Sequence, residues 1–195
     1  MRSTFIFFAF LILFSLLLIQ VLPEKDTLPV LKTIAPFEMS NVHDQQSYRF
    51  KEGKIRLVTF FYTNCPDVCP STMNDLKTVQ EEIKKHDLFG SEIQLISISI
   101  DPEVDDAETI RNYAAAFKAD PSGWIWLRGS LQETKTAADM FQMNYTKNED
   151  GFIAHSTTMY LVDKKNRIRA VYDMANSSKR VAFESIFHDM KSLVE

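Results

Sequence analysis

The stretch Val58-Thr59-Phe60-Phe61-Tyr62-Thr63-Asn64-Cys65-Pro66-Asp67-Val68-Cys69-Pro70 holds both cysteines of the 195-residue chain. It lies where an apolar run gives way to a turn and then to a helical pattern. Two cysteines separated by three residues have few uses: a reversible disulfide, a pair of thiolates for a metal, or two inert apolar side chains. The surroundings disfavour the inert use. Pro66 and Pro70 break regular structure around the thiols and Asp67 puts a carboxylate between them, so the pair sits in a polar turn.

Upstream, residues 55–62 are rich in β-branched and aromatic side chains and are long enough for a buried central strand. The cysteine loop therefore falls at the C-terminal end of a strand, where open α/β sheets bind their ligands. Downstream, Met73, Leu76, Val79 or Gln80, and Ile83 follow helical spacing. Pro70 suits the first turn of that helix, which makes Cys69 the expected N-cap. A start at Pro66 would put Pro70 inside the helix, at about 3 kcal/mol. With either start, the positive end of the helix favours thiolate over thiol.

Further out, residues 37–42 and 47–50 read as short strands around the turn His43-Asp44-Gln45, and 93–100 as a second buried strand ending at Asp101-Pro102. Residues 107–117 read as a helix, 124–127 as a strand and 131–140 as a helix, with 146–151 a polar hairpin or loop. Residues 158–162 and 168–172 form an expected antiparallel hairpin around Lys164-Lys165-Asn166. Ser177 or Ser178 is the expected cap of a last helix with Val181, Ile186, Met190 and Leu193 on one side. The chain has no internal repeat. This order describes an α/β, thioredoxin-like fold with a mixed central sheet flanked by helices and with N-terminal additions.

The net charge of -4, with Lys and Arg dispersed, argues against a nucleic-acid partner. Residues 5–22 are apolar except for Ser15 and Gln20, and a bilayer core takes roughly 17 to 25 such residues. No small-x-small cleavage site closes the segment, so 1–22 reads as an uncleaved transmembrane anchor, 23–35 as a linker with Pro23 and Pro29, and 36–195 as the folded domain. Short N-terminal tails stay cytoplasmic. The domain is then expected on the extracytoplasmic side, in the periplasm or at the cell exterior, where thiols cycle with disulfides.

Of the four histidines, His43, His86 and His188 read as turn or helix-end residues. His155 lies at the entrance to a late strand that, in a thioredoxin-like fold, passes beside the cysteine loop. Two soft thiolates and one imidazole select copper or, less distinctively, zinc. A structural zinc site takes a fourth protein ligand, and none is evident. Asp67 is a possible oxygen donor, with a capping or solvated role the expected one. Met73, Met140 and Met143 read as core packing.

Three segments carry a resemblance: Phe60-Phe61-Tyr62-Thr63-Asn64-Cys65-Pro66-Asp67-Val68-Cys69-Pro70, Ser97-Ile98-Ser99-Ile100-Asp101-Pro102-Glu103, and His155-Ser156-Thr157-Thr158-Met159-Tyr160-Leu161-Val162-Asp163. In order and spacing they resemble the Sco/SenC family, the copper chaperones that assist assembly of cytochrome c oxidase. The resemblance implies that Cys65, Cys69 and His155 bind one copper ion, Cu(I) or Cu(II). It also implies that the domain delivers copper to the dinuclear copper site of oxidase subunit II, or reduces that site's cysteines. The family pattern often has Asp immediately before the histidine, where this chain has Ala154.

Three rivals compete with this reading. A thiol-disulfide oxidoreductase would use Cys65 and Cys69 as its redox pair, but the thioredoxin type has two intervening residues and a cis-proline where Ala154-His155-Ser156 stand. A peroxiredoxin-type peroxidase needs Thr or Ser where Tyr62 stands. A static disulfide closing so short a loop contributes little stability.

Overall fold

Every residue of β4 (Ile55–Phe61) is buried, so this strand is covered on both faces, which is why its sequence is mostly apolar, with Arg56 and Thr59 the exceptions. The computed structural model describes residues 28–194. The expected membrane segment, residues 5–22, lies outside the described residues. Among those described, no helix is long and apolar enough to cross a membrane.

Before β4 come β1 (Lys32–Thr33), β2 (Phe37–Asn41) and β3 (Ser47–Phe50). After it follow α1 (Val68–Lys85), β5 (Ile93–Ser99), α2 (Ala107–Ala116), β6 (Trp124–Arg128) and α3 (Leu131–Phe141). The chain continues through β7 (Tyr145–Lys147), β8 (Ile153–His155), β9 (Thr158–Val162) and β10 (Arg167–Asp173) to α4 (Phe183–Val194). Eight strands make one mixed sheet in the order β1-β10-β9-β4-β5-β6-β2-β3, and β7 pairs with β8 in a separate two-stranded sheet. Strands β4, β5 and β6 are parallel, joined by the helical crossovers α1 and α2, while β9 runs antiparallel to β4.

Adjacent strand residues face opposite sides, and Phe60 and Phe61 show it. Phe61 stacks on Tyr113 of α2 and meets Trp126 edge-on. Phe60 packs edge-on against Phe141 of α3 and Tyr160 of β9, and Phe141 continues to Phe37 and Phe50. Met73, on the buried side of α1, receives the Ser97 hydroxyl on its sulfur, and Met143 is buried as well, so both serve packing as expected.

Three local expectations are corrected. Helix α1 begins at Val68 with Asp67 as N-cap, so Cys69 lies within the first turn and Pro70 is the third helical residue. The first four N–H groups of a helix have no intrahelical acceptor, so proline loses nothing there. Helix α4 begins at Phe183, later than a cap at Ser177 or Ser178 would place it. The Asn176 side chain takes the N–H groups of Ser178 and Lys179 into a turn instead, and Val181 N–H donates to the buried Asp75 of α1. Strand β1 lies inside the stretch expected to be linker; it pairs with β10, and the neighbouring Ile34 is buried.

Candidate metal centre

The parallel strands β4 and β5 both end at the same edge of the sheet, and each is followed by a loop. The first, residues 62–67, carries Cys65. Its N–H donates to the Tyr62 carbonyl at 3.2 Å, and Thr63 donates both its N–H and its hydroxyl to Asp105 in the second loop. Asp105 also accepts from the Ser99 hydroxyl at 2.6 Å. This buried carboxylate thus ties the cysteine loop to the end of β5.

The start of α1 is capped by sulfur. Asp67 makes no side-chain capping bond, whereas the Cys69 N–H donates to Cys65 Sγ at 3.3 Å. Cys65 is half-buried and Cys69 fully buried. A hydrogen bond from Cys69 lowers the Cys65 thiol to about 4 against the opposing effect of burial, helped by His155 and by the N–H groups of Cys69 and Asp67. The same bond, together with burial, pushes the Cys69 thiol up. One sulfur is therefore held as thiolate and the other as its donor.

His155 ends β8 and enters from the other side. Its Nδ1 lies 2.9 Å from the Ser156 carbonyl, an acceptor only, so Nδ1 carries a proton and Nε2 is the ring nitrogen turned toward the thiols. Nε2 stands 3.9 Å from Cys69 Sγ. The ring orientation is thus set by a main-chain carbonyl, which needs nothing from Ala154, exposed beside it. Tyr62 packs edge-on against the imidazole at 5.9 Å, and burial first, then the Cys65 charge, pushes its phenol up to about 12.

The ligand atoms of Cys65, Cys69 and His155 all lie within 4.8 Å of one another. Metal–sulfur and metal–nitrogen bonds of about 2.3 and 2.0 Å in a trigonal arrangement put S and N about 3.7 Å apart, so the spacing suits one ion. Among the described residues this is the one group of its kind. Asp67 is not part of it; its carboxylate receives the Ser71 hydroxyl. The other histidines lie elsewhere: His43 in the β2–β3 turn, His86 as the C-cap of α1 against Phe187, and His188 exposed beside Asp189.

A groove of about 320 Å³ opens onto the cluster between Tyr62, Cys65, Val68, Phe152, Ile153 and His155. Phe152 stands half-exposed at its rim. Sequence reasoning found the three ligand candidates but missed Tyr62 as a wall, Asp105 as the tie and Phe152 as the rim. Tyr62 adjoins the cysteine motif and Phe152 shortly precedes His155, so both were within reach of a sequence argument; Asp105 is joined to the site by tertiary contacts alone.

Residues 32–190 match the SCO1/SenC family model. The chain is 29% identical over 161 residues to the SCO2-like protein of Rickettsia prowazekii, a match covering 77% of this chain and 74% of that one. A SCO1/SenC family lipoprotein from Bacillus anthracis superposes with a TM-score of 0.75 at 31% identity, over 85% of this chain and 98% of that one. The copper-bound ScoI of Bradyrhizobium japonicum does so with a TM-score of 0.67 at 27% identity, over 83% and 99% of the two chains. With a thioredoxin-like sheet, a thiol pair at its edge and a family match spanning the whole described sheet, the chain belongs to the SCO1/SenC family.

Proposed function

We propose that this protein is a copper-binding metallochaperone in which Cys65, Cys69 and His155 hold one copper ion for delivery to the dinuclear copper site of cytochrome c oxidase subunit II. The observation that carries the reading is the donor set: two sulfurs and one imidazole nitrogen within 4.8 Å, open to a largely apolar groove. Soft thiolates favour copper, and three ligands suffice for Cu(I). The copper-bound ScoI relative supports the choice of metal. An acceptor entering the groove meets Cys65 and His155 before the buried Cys69, so its own thiolates replace these ligands stepwise. Residues 1–22 anchor the protein, the residues between them and β1 connect, and the folded domain from β1 onward works on the extracytoplasmic side, next to a membrane-bound acceptor.

The unequal thiols favour a second reading, a thiol-disulfide reductase dedicated to one partner. The Cys65 thiolate attacks a partner disulfide and releases one partner thiolate. Cys69, losing its proton, then attacks the Cys65 sulfur and releases the other. The partner gains two electrons and the Cys65–Cys69 disulfide forms.

Copper stoichiometry with absorption and EPR spectra on the reduced full chain, beside Cys65→Ser and His155→Ala, separates the two. One copper per chain with thiolate-to-Cu(II) charge-transfer bands, lost or altered in both variants, supports the chaperone. A chain that takes up no copper while its reduced thiols readily reduce a disulfide, forming the Cys65–Cys69 disulfide, is a reductase.

A further inference from the structure

The imidazole half of the centre rides on a hairpin that is not part of the main sheet. Strands β7 and β8 pair only with each other. Ile153 is their one fully buried residue; Thr146, Lys147 and Ala154 are exposed and Tyr145 and His155 half-buried. So small an apolar anchor puts a segment at the low end of local stability. The hairpin base is closed by the Ser156 N–H donating to the Asn144 carbonyl at 2.9 Å.

A second tether lies directly across from the apolar one. Lys147, the cross-strand partner of Ile153, reaches out of the hairpin to Asp101 at 2.7 Å and to Glu103 at 3.4 Å. Asp101 is only 4% exposed, and among the described residues Lys147 is its one cationic partner. An ammonium placed against a buried carboxylate is held more firmly than a surface ion pair, because its loss leaves that charge unpaired. Asp101 belongs to the same loop as Asp105, which ties down the Thr63 N–H two residues before Cys65. One short loop after β5 therefore touches both the segment that carries the thiols and the hairpin that carries the imidazole.

We propose that Lys147 is a positioning residue of the metal centre: its ion pair with Asp101 latches the β7–β8 hairpin so that His155 stays in register with the cysteine pair. The copper part of this inference rests on the proposed function; the latch itself does not.

The test uses the reduced full chain with Lys147→Met, Lys147→Arg and the double variant Lys147→Met with Asp101→Asn, which leaves no orphaned carboxylate and so separates the latch from misfolding. In the metal-free protein, amide hydrogen exchange across residues 144–156 accelerates about tenfold in Lys147→Met and in the double variant, returns close to wild type in Lys147→Arg, and is unchanged in β4 and β5. With copper alone as probe, the dissociation constant rises about tenfold and the thiolate-to-Cu(II) band shifts in the same two variants. Unchanged hairpin exchange, or acceleration spread equally over β4 and β5, overturns the latch. Faster hairpin exchange with an unaltered copper site overturns the positioning role. If wild-type protein takes up no copper, the proposed function falls, and the exchange data alone decide whether the latch exists.

Discussion

Asp105 accepts the Thr63 N–H at 3.2 Å across 42 residues of sequence, so a residue of the loop between β5 and α2 fixes the main chain just ahead of Cys65. Its replacement by alanine strands the Thr63 N–H, the Thr63 hydroxyl and the Ser99 hydroxyl. Buried donors without partners cost about 1–3 kcal/mol each before relaxation or water entry. Asp105→Ala is expected to lower the unfolding free energy of the metal-free protein by about 2–4 kcal/mol in urea titrations. A loss under about 1 kcal/mol would mean the tie is not structural.

The same carboxylate gives a pH dependence of definite sign. Burial raises the Asp105 carboxyl above its ordinary value of 3.8, although bonds from Ser99 and Thr63 pull it down. The folded protein thus binds this proton more tightly than the unfolded chain. The resulting stabilisation is complete below the unfolded value and is lost as pH rises through the folded one. Wild-type stability relative to Asp105→Asn should fall over that window and then level off, as followed by urea midpoints from about pH 3 to 7. A difference that grows with pH contradicts the sign.

The two thiols should react in a fixed order. Cys65 is half-exposed and held as thiolate down to about 4, whereas Cys69 is buried with its thiol pushed up. Iodoacetamide at mildly acidic pH is expected to alkylate Cys65 well before Cys69 in the reduced, metal-free protein, as read by peptide mass spectrometry. Equal labelling of both sites would show that the asymmetry is absent in solution.

Pro70 occupies a helical position whose N–H would have no partner. Pro70→Ala should therefore change stability only through the unfolded chain, a loss of about 0.4–1 kcal/mol by thermal or urea unfolding. A gain of about 3 kcal/mol, the relief expected at an interior site, would place the helix start further upstream.

What could be read from the sequence follows from what leaves a periodic or local mark. The fully buried β4 and β5 announce themselves by their β-branched, leucine and aromatic residues, and the cysteine spacing survives any misplacement of the helix start. The start itself was misjudged because proline's cost was applied to Pro70 without counting the free N–H groups of the first turn. Strand β1 is two residues, Lys32 and Thr33, too short for any alternation to register. Lys147 and Asp101 are 46 residues apart, and an ion pair leaves no pattern in either neighbourhood. Ser177 and Ser178 looked like caps because serine caps helices, yet Asn176 takes the local N–H groups first.

Strand order also has a consequence for synthesis. Strand β9 lies between β4 and β10, so the half of the molecule that presents His155 docks on β4 only after most of the chain exists. The thiols and the imidazole are separated by 86 residues between Cys69 and His155, and closing that loop requires β9 to be in place. A nascent chain that has only reached the end of α1 holds both cysteines but has no imidazole to set beside them. A chain truncated before β8 would therefore carry the two cysteines without the imidazole that the proposed copper centre needs.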